Sequence, residues 1–116
     1  MKALIVDDED SIRAFIVAHL TIEGWEVAEA ASGREALAQF AATEPDVMVL
    51  DHMLGDMLGT DVAQRVRDQG FDRPIILFSA FLTSELKSEV DDLRLTLISK
   101  PDSPALFRVM HAFTLA

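Results

Sequence analysis

The sequence contains no cysteine, and it contains no apolar run close to the ~18 residues that a membrane-spanning helix requires. The first absence excludes disulfide bonds, thiol catalysis and zinc sites built on sulfur, and it fits a reducing compartment. The second predicts a soluble, globular chain. The opening segment MKALIVDDED turns acidic after a few apolar residues. Because this is too soon for a secretory signal, we expect the protein to be cytoplasmic.

Basic residues are also scarce. Ten lysines and arginines stand against twenty acidic residues, which gives a formal net charge of −10. A chain of this sign repels a phosphate backbone rather than neutralising it. We therefore expect no direct binding to nucleic acid and, with no apolar span, no membrane partner.

The length of 116 residues is enough for one hydrophobic core but too short for a second module. The sequence has no internal repeat, low-complexity tract or linker. It therefore predicts a single domain over residues 1–116 with no output domain.

Five short segments have strand character. Three are apolar throughout, ALIV at 3–6, VMVL at 47–50 and IILF at 75–78, which is typical of strands covered on both faces. Two alternate apolar and polar residues, WEVAEA at 25–30 and LRLTL at 93–97, which is typical of edge strands. Helical patterns separate all five. The predicted fold is therefore an α/β, flavodoxin-like (βα)5 doubly wound parallel sheet with strand order 2-1-3-4-5.

Polar side chains follow four of these strands. Asp7 and Asp8 follow the first strand, Asp51 the third, Ser79 the fourth and Lys100 the fifth. Because the first and third strands are neighbours in the predicted order, three carboxylates should share the cleft where strand order reverses. Like charges so close need a positive charge beside them. An all-oxygen ligand set favours a hard cation, so Mg²⁺ is the predicted cofactor.

Each of these residues also has an ordinary structural interpretation. The acidic run at 7–10 is typical of a solvated turn with a helix cap, and Asp51 of a turn. Ser79 could bond backbone where a strand ends, and Lys100 could be an exposed lysine. Their coincidence at one edge of the sheet favours the functional interpretation.

The segments LIVDDEDSIR, VLDHMLGDMLG, PIILFSA and ISKP carry a resemblance that spans nearly the whole chain. In this order and at these separations, they resemble the receiver domain of two-component response regulators, most closely its single-domain, chemotaxis-regulator-like members. The resemblance implies phosphorelay signal transduction with Asp51 as the phospho-acceptor. It also implies that Asp7, Asp8, Asp51 and the backbone carbonyl of Met53 hold Mg²⁺.

The resemblance implies roles for three further residues and for the partners. Ser79 and Lys100 would contact the phosphoryl group, and Pro101 would follow a cis bond that aims the lysine inward. The donor would be a sensor histidine kinase or a histidine phosphotransfer protein. A downstream protein would bind the face made by the fourth helix, fifth strand and fifth helix. Since the phosphoryl group would be lost slowly and without turnover, the protein is not expected to be an enzyme.

Some positions depart from the family pattern. Met53 and Phe81 are apolar where they flank the site, and we hypothesise that they hinder attacking water and lengthen the phosphorylated lifetime. Leu97 stands where many receivers have an aromatic residue that swings inward. The stretch EVDDLRLTLISK has no glycine to close the fourth helix, which predicts that this helix lacks a left-handed cap and frays.

Three alternatives stay open. The chain could be a receiver excised from a hybrid histidine kinase, or a pseudo-receiver that binds partners without phosphorylation. It could also be a Mg²⁺-dependent phosphatase of the haloacid-dehalogenase type. That last class requires a second aspartate two residues after the nucleophile, where this sequence has Met53.

Overall fold

The computed structural model describes residues 1–80, 83–100 and 102–115. The predictions that concern Phe81 and the bond before Pro101 lie outside the described residues. Strands and helices alternate in the order β1 (Lys2–Val6), α1 (Asp10–Ile22), β2 (Glu26–Ala30), α2 (Gly33–Thr43), β3 (Val47–Leu50), α3 (Gly59–Asp68), β4 (Ile75–Ser79), α4 (Ser84–Asp92), β5 (Thr96–Ser99) and α5 (Ser103–Thr114). None of these helices, in the ranges described, is long and apolar enough to cross a membrane.

The five strands form one sheet in the order β2-β1-β3-β4-β5. Every neighbouring pair is parallel, as each helical crossover requires. The predicted flavodoxin-like fold and its strand order are therefore confirmed.

The central strands are apolar throughout because helices cover both faces of the sheet. Leu4 and Leu50 pack into a core with residues of α2, α3 and α4. Ile5 and Val49 point the other way, into a core with residues of α1 and α5. Successive strand residues alternate between the two faces, so an unbroken apolar strand serves both cores at once. The sheet is thereby fixed between two helical layers, and its carboxyl edge is positioned as a unit.

The fifth strand begins at Thr96, three residues later than the sequence predicts. Leu93 ends α4 and is buried, and Leu95 packs against the same core. Because Leu93 and Leu95 are two residues apart, with Arg94 between them, the sequence resembles the alternation of apolar and polar residues in a strand. Leu97, within β5, is also packed against this core, as an ordinary core residue would be.

The end of α4 corrects a second prediction. Arg94 adopts φ +58°, in the left-handed region. Its N–H donates to the Asp91 carbonyl at 3.1 Å, and the Leu95 N–H donates to the Val90 carbonyl at 2.8 Å. These two bonds are those of a Schellman cap. The prediction that α4 lacks a left-handed cap is therefore wrong, because an arginine occupies the position that glycine usually fills.

Candidate functional site

The pairing of β1 with β3 brings the first acidic residues together. Val6 and Leu50, the last residues of the two strands, are register partners, and the Asp51 N–H donates to the Val6 carbonyl at 2.8 Å. Asp7 continues β1 on the other side, with its N–H donating to Ala30 at 3.1 Å. Asp7 and Asp51 therefore leave adjacent strands at the same height.

Three carboxylates meet at this edge of the sheet. Oxygens of Asp7, Asp8 and Asp51 all lie within 4.8 Å of one another. Asp7 is 2% exposed and Asp51 is 9% exposed, whereas Asp8 is exposed and gives the cluster an open side. Carboxylate oxygens without imidazole or sulfur suit a hard divalent cation that keeps some of its waters. The residues present therefore fit Mg²⁺.

Lys100 supplies the positive charge within the cluster. Its Nζ lies 2.8 Å from Asp7 Oδ2 and 3.2 Å from Asp51 Oδ1. The Lys100 backbone N–H donates to the Ser79 carbonyl at 2.8 Å, which ties the end of β5 to the end of β4. Four side chains that the sequence predicts for the site, Asp7, Asp8, Asp51 and Lys100, are thus in one group.

The charged side chains of this cluster shift the pKa values of Asp51 and Lys100. Burial and the charge of Asp7 raise the pKa of Asp51 to about 6, although the nearby lysine acts in the opposite direction. Burial opposes the charge on Lys100, but its contacts with Asp7 and Asp51 raise the lysine pKa overall. The lysine therefore stays protonated at neutral pH, and Asp51 is ionised but unusually basic.

Ser79 lies at the same edge as the cluster. It is the last residue of β4, is 1% exposed, and is the register partner of Ser99 on β5. Since β4 lies between β3 and β5, Ser79 is flanked by the strands that lead to Asp51 and Lys100.

The loop after Asp51 folds back on itself. Met53 is 52% exposed and forms an isolated antiparallel bridge with Leu58. Gly59 then begins α3, and its N–H donates to the His52 carbonyl at 2.7 Å. A Cβ at Gly59 would collide with the carbonyl oxygen of Asp51. Glycine is therefore needed for α3 to start so close to Asp51.

The structure adds two residues that the sequence analysis missed. Arg13 donates from Nη1 to the Asp7 carbonyl at 2.7 Å and pairs with Asp10 at 2.7 Å. The three-residue spacing of Asp10 and Arg13 on a predicted helix could have indicated that pair. Asp56 accepts bonds from the backbone of Gly33 and of the residue after it, and no local pattern signals a contact between residues so far apart in sequence.

Comparison with known proteins gives a family match. The sequence profile described as "Response regulator receiver domain" matches residues 3–110. The chain is 39% identical over 106 residues to a "Probable transcriptional regulator ycf27" from Porphyridium aerugineum, a match that covers 89% of this chain and 43% of the relative. The chain spans less than half of the length of the curated relatives it matches.

Solved structures give the same match over nearly the full length. The chemotaxis protein CheY4 of Vibrio cholerae superposes with a TM-score of 0.88 at 32% identity, covering 96% of each chain. The response regulator protein TrrA of Thermotoga maritima, solved in complex with Mg²⁺ and BeF, superposes with a TM-score of 0.82 at 28% identity, again over 96% of each chain. Receiver domains bind Mg²⁺ at an acidic pocket, and this chain has an acidic cluster formed by Asp7, Asp8 and Asp51.

Proposed function

We propose that this chain, which belongs to the family of response regulator receiver domains and so to two-component signal transduction, accepts a phosphoryl group on Asp51. The observation that carries the proposal is the environment of that carboxylate. Asp51 is almost buried, lies against two other carboxylates and has Lys100 at 3.2 Å. An ordinary turn residue needs none of these neighbours.

The transfer begins with the ionised carboxylate. One oxygen of Asp51 attacks the phosphorus of a phosphohistidine, so a P–O bond forms as the P–N bond breaks. The electron pair of the broken bond passes to the ring nitrogen, and the ring leaves as neutral imidazole after it takes a proton from water. The raised pKa of Asp51, about 6, leaves the group ionised at neutral pH while making it more basic than a free aspartate.

Positive charges at the site would oppose the repulsion between the carboxylate and the incoming phosphoryl oxygens. Asp7, Asp8 and Asp51, with the backbone carbonyl of Met53, are the residues that would hold Mg²⁺. When bound, this ion neutralises the carboxylates and the phosphoryl oxygens. Lys100 already contacts Asp51, so its ammonium is placed to contact an oxygen of the acyl phosphate.

Ser79 is the residue from which the switch would start. Its hydroxyl lies at the end of β4 and would donate to the phosphoryl group once that group is on Asp51. The backbone bond from Lys100 to the Ser79 carbonyl then transmits the displacement towards β5. A local hydrogen bond would in this way bias the surface that partners recognise.

We also propose that the chain is a phosphoryl acceptor that loses the group slowly, and not an enzyme that turns over a substrate. Repeated ester hydrolysis needs a general acid for the leaving group. The position two residues after Asp51 is Met53, which has no acidic proton. Hydrolysis of the acyl phosphate would be slow, and the apolar Met53 would slow it further.

Receiver domains interact with histidine kinases, phosphotransfer proteins and downstream targets. For this chain we propose a sensor histidine kinase or a histidine phosphotransfer protein as donor, both acting in the cytoplasm. The downstream protein would bind the α4–β5–α5 face. The formal net charge of −10 supports a protein target rather than nucleic acid.

The decisive experiment is incubation with acetyl phosphate in the presence and absence of Mg²⁺, followed by intact-protein mass spectrometry and peptide mapping. We expect the mass of one phosphoryl group to be added at Asp51 only when Mg²⁺ is present. The Asp51→Asn variant should add none. No addition to the wild type would favour the pseudo-receiver, and addition at another residue would refute Asp51 as acceptor. Sustained release of phosphate from p-nitrophenyl phosphate would instead indicate the phosphatase.

A further inference from the structure

The loop between β3 and α3 is attached to a helix that has no part in the proposed chemistry. Asp56, in this loop, accepts a hydrogen bond from the Gly33 N–H on Oδ1 at 2.9 Å and another from the Arg34 N–H on Oδ2 at 2.9 Å. Both donors belong to the first turn of α2. These two backbone bonds hold the pKa of Asp56 below its usual range, so the carboxylate is charged at neutral pH.

The contact adds a long-range attachment to the local cap of α2. Ser32 already occupies the N-cap of α2, where its hydroxyl accepts from the Glu35 N–H at 3.1 Å. Asp56 adds a bidentate contact from a part of the chain more than twenty residues away. The helix dipole strengthens such a contact with an anion. Its effect is to fasten the loop to α2.

The neighbours of Asp56 close around this contact. Leu54 is 3% exposed and belongs to the core, and its N–H donates to the Met57 carbonyl at 3.3 Å. The Met57 side chain covers Gly33 so closely that a Cβ there would collide with it. The loop is therefore held on one side by Leu54 in the core and on the other by Asp56 on α2.

Along the chain, Met53 lies between Asp51 and the two residues that attach the loop, Leu54 and Asp56. Its side chain is exposed, and its bridge with Leu58 joins it to the other limb of the same loop rather than to the rest of the fold. The position of its carbonyl therefore depends on how the loop is held. A metal ligand on an unfastened loop would have to be ordered each time the ion binds.

We propose that Asp56 is a positioning residue, which fastens the β3–α3 loop to α2 and thereby holds the Met53 carbonyl beside Asp51 for Mg²⁺. This inference rests on the proposed function, since it concerns the ion that the phosphoryl transfer requires. Under this proposal, the contact between Asp56 and α2 increases the Mg²⁺ affinity of the site, although α2 contributes no metal ligand.

The test measures Mg²⁺ affinity directly, by isothermal titration calorimetry without any phosphodonor. Asp56→Ala should weaken Mg²⁺ binding by about tenfold, at the lower end of what the loss of a supporting contact costs. Asp56→Asn, which keeps one acceptor oxygen, should fall between Asp56→Ala and the wild type. Amide resonances of Leu54 and Met57 in NMR spectra should shift in Asp56→Ala before any ion is added.

Two matched variants separate positioning from simpler explanations. Ser32→Ala removes the other cap of α2 and leaves the loop contact in place, so it should lower stability without weakening Mg²⁺ binding. Glu35→Gln removes one exposed negative charge from the same turn of α2 and should leave the affinity within about twofold, since screening limits such surface charges. A loss of affinity in either variant equal to that in Asp56→Ala would overturn the inference.

The outcomes also separate this inference from the function on which it rests. If the wild type binds Mg²⁺ and folded Asp56→Ala binds it equally well, Asp56 is only a helix cap and the inference is wrong. If the wild type itself binds no Mg²⁺, the proposed phosphoryl acceptor is refuted and the role of Asp56 falls with it.

Discussion

The environment of Asp51 favours the chemistry of the site and destabilises the folded protein. It is 9% exposed, and an oxygen of each of its two carboxylate neighbours lies within 4.8 Å, a distance at which like charges repel each other. Lys100 offsets part of this repulsion but divides its ammonium between Asp7 and Asp51. The protein therefore keeps an ionised group where ionisation is unfavourable, and the cost should be measurable when no metal ion is present.

We predict that Asp51→Asn stabilises the protein in a chelating buffer at pH 7. The pKa of Asp51 is raised to about 6, whereas an unfolded aspartate titrates near ~3.9. Because the pKa of Asp51 is higher in the folded than in the unfolded protein, the protonated carboxyl favours the folded state. This contribution to the free energy of unfolding is complete below about pH 4 and is lost as pH rises through about 6. The variant and the wild type should therefore differ little at pH 4 and differ by about 3 kcal/mol in free energy of unfolding at pH 7.

Urea denaturation from pH 4 to 8 would measure this difference. Asp92→Asn, which neutralises an exposed aspartate at the end of α4, serves as the control and should follow the wild-type curve. A variant less stable than the wild type at pH 7 would mean that Lys100 more than offsets the repulsion on Asp51. In that case the account of the site as electrostatically costly would be wrong.

The residues at the strand ends were predictable because a regular alternation of strands and helices leaves few possible strand orders. Asp7 and Asp51 follow apolar strands that such an order makes adjacent, and the structure places them together. Asp56 was not predictable, because its partner Gly33 is 23 residues away and the contact is made to backbone N–H groups, which leave no signature in the sequence. Local pattern therefore does not reveal the role of Asp56, which depends on a tertiary contact outside the strand order.

At the scale of elements, the clearest failure of local pattern is the end of α4. Leu93 and Leu95 alternate with Arg94 as they would in a strand, yet both leucines serve the core from a helix end and the turn after it. The backbone at Arg94 has φ +58°, a conformation that costs a residue with a Cβ about 1 kcal/mol or more. The cap is formed despite this strain because burial of the two leucines favours it.

We predict that Arg94→Gly stabilises the protein by about 1 kcal/mol, because glycine adopts the left-handed region without a steric penalty. Arg94→Ala is the matched control, since it removes the same charge but keeps a Cβ. It should be no more stable than the wild type in thermal or urea unfolding. Equal stabilisation by both substitutions would attribute the effect to charge, because Arg94 lies near the guanidinium of Arg67.

At the scale of the whole molecule, Arg67 on α3 connects two segments that follow different helices. Its guanidinium donates to four backbone carbonyls, those of Leu93 at 2.9 Å, Arg94 at 3.0 Å, Phe71 at 2.9 Å and Arg73 at 2.7 Å. Burial lowers the pKa of Arg67 somewhat, but an arginine stays charged throughout the physiological range. One side chain thus fastens the end of α4 to the loop between α3 and β4.

This arrangement makes the two ends of α4 unequal. The N-cap of the helix is Thr83, shortly after the end of β4, and its C-cap is Leu93, shortly before the start of β5. The first end is capped by the Thr83 hydroxyl, which accepts from Leu86 at 3.1 Å, whereas Arg67 holds the second by two hydrogen bonds. A displacement that starts at Ser79 should therefore move the first end about the second.

We predict that phosphorylation changes amide hydrogen exchange in the first half of α4 and leaves the segment from residue 91 to 96 unchanged. The reason is that a hydrogen bond to a charged group contributes about 1.5–3 kcal/mol, and Arg67 makes two such bonds to the end of α4, which oppose its separation from this helix. Exchange would be followed by mass spectrometry with acetyl phosphate and Mg²⁺, against the Asp51→Asn variant under identical conditions. Arg67→Lys, which keeps the charge but cannot reach four carbonyls, should spread the change to both ends of α4. A change at residues 91–96 in the wild type as large as that at 83–88 would show that α4 moves as a whole, without the pivot at Arg67.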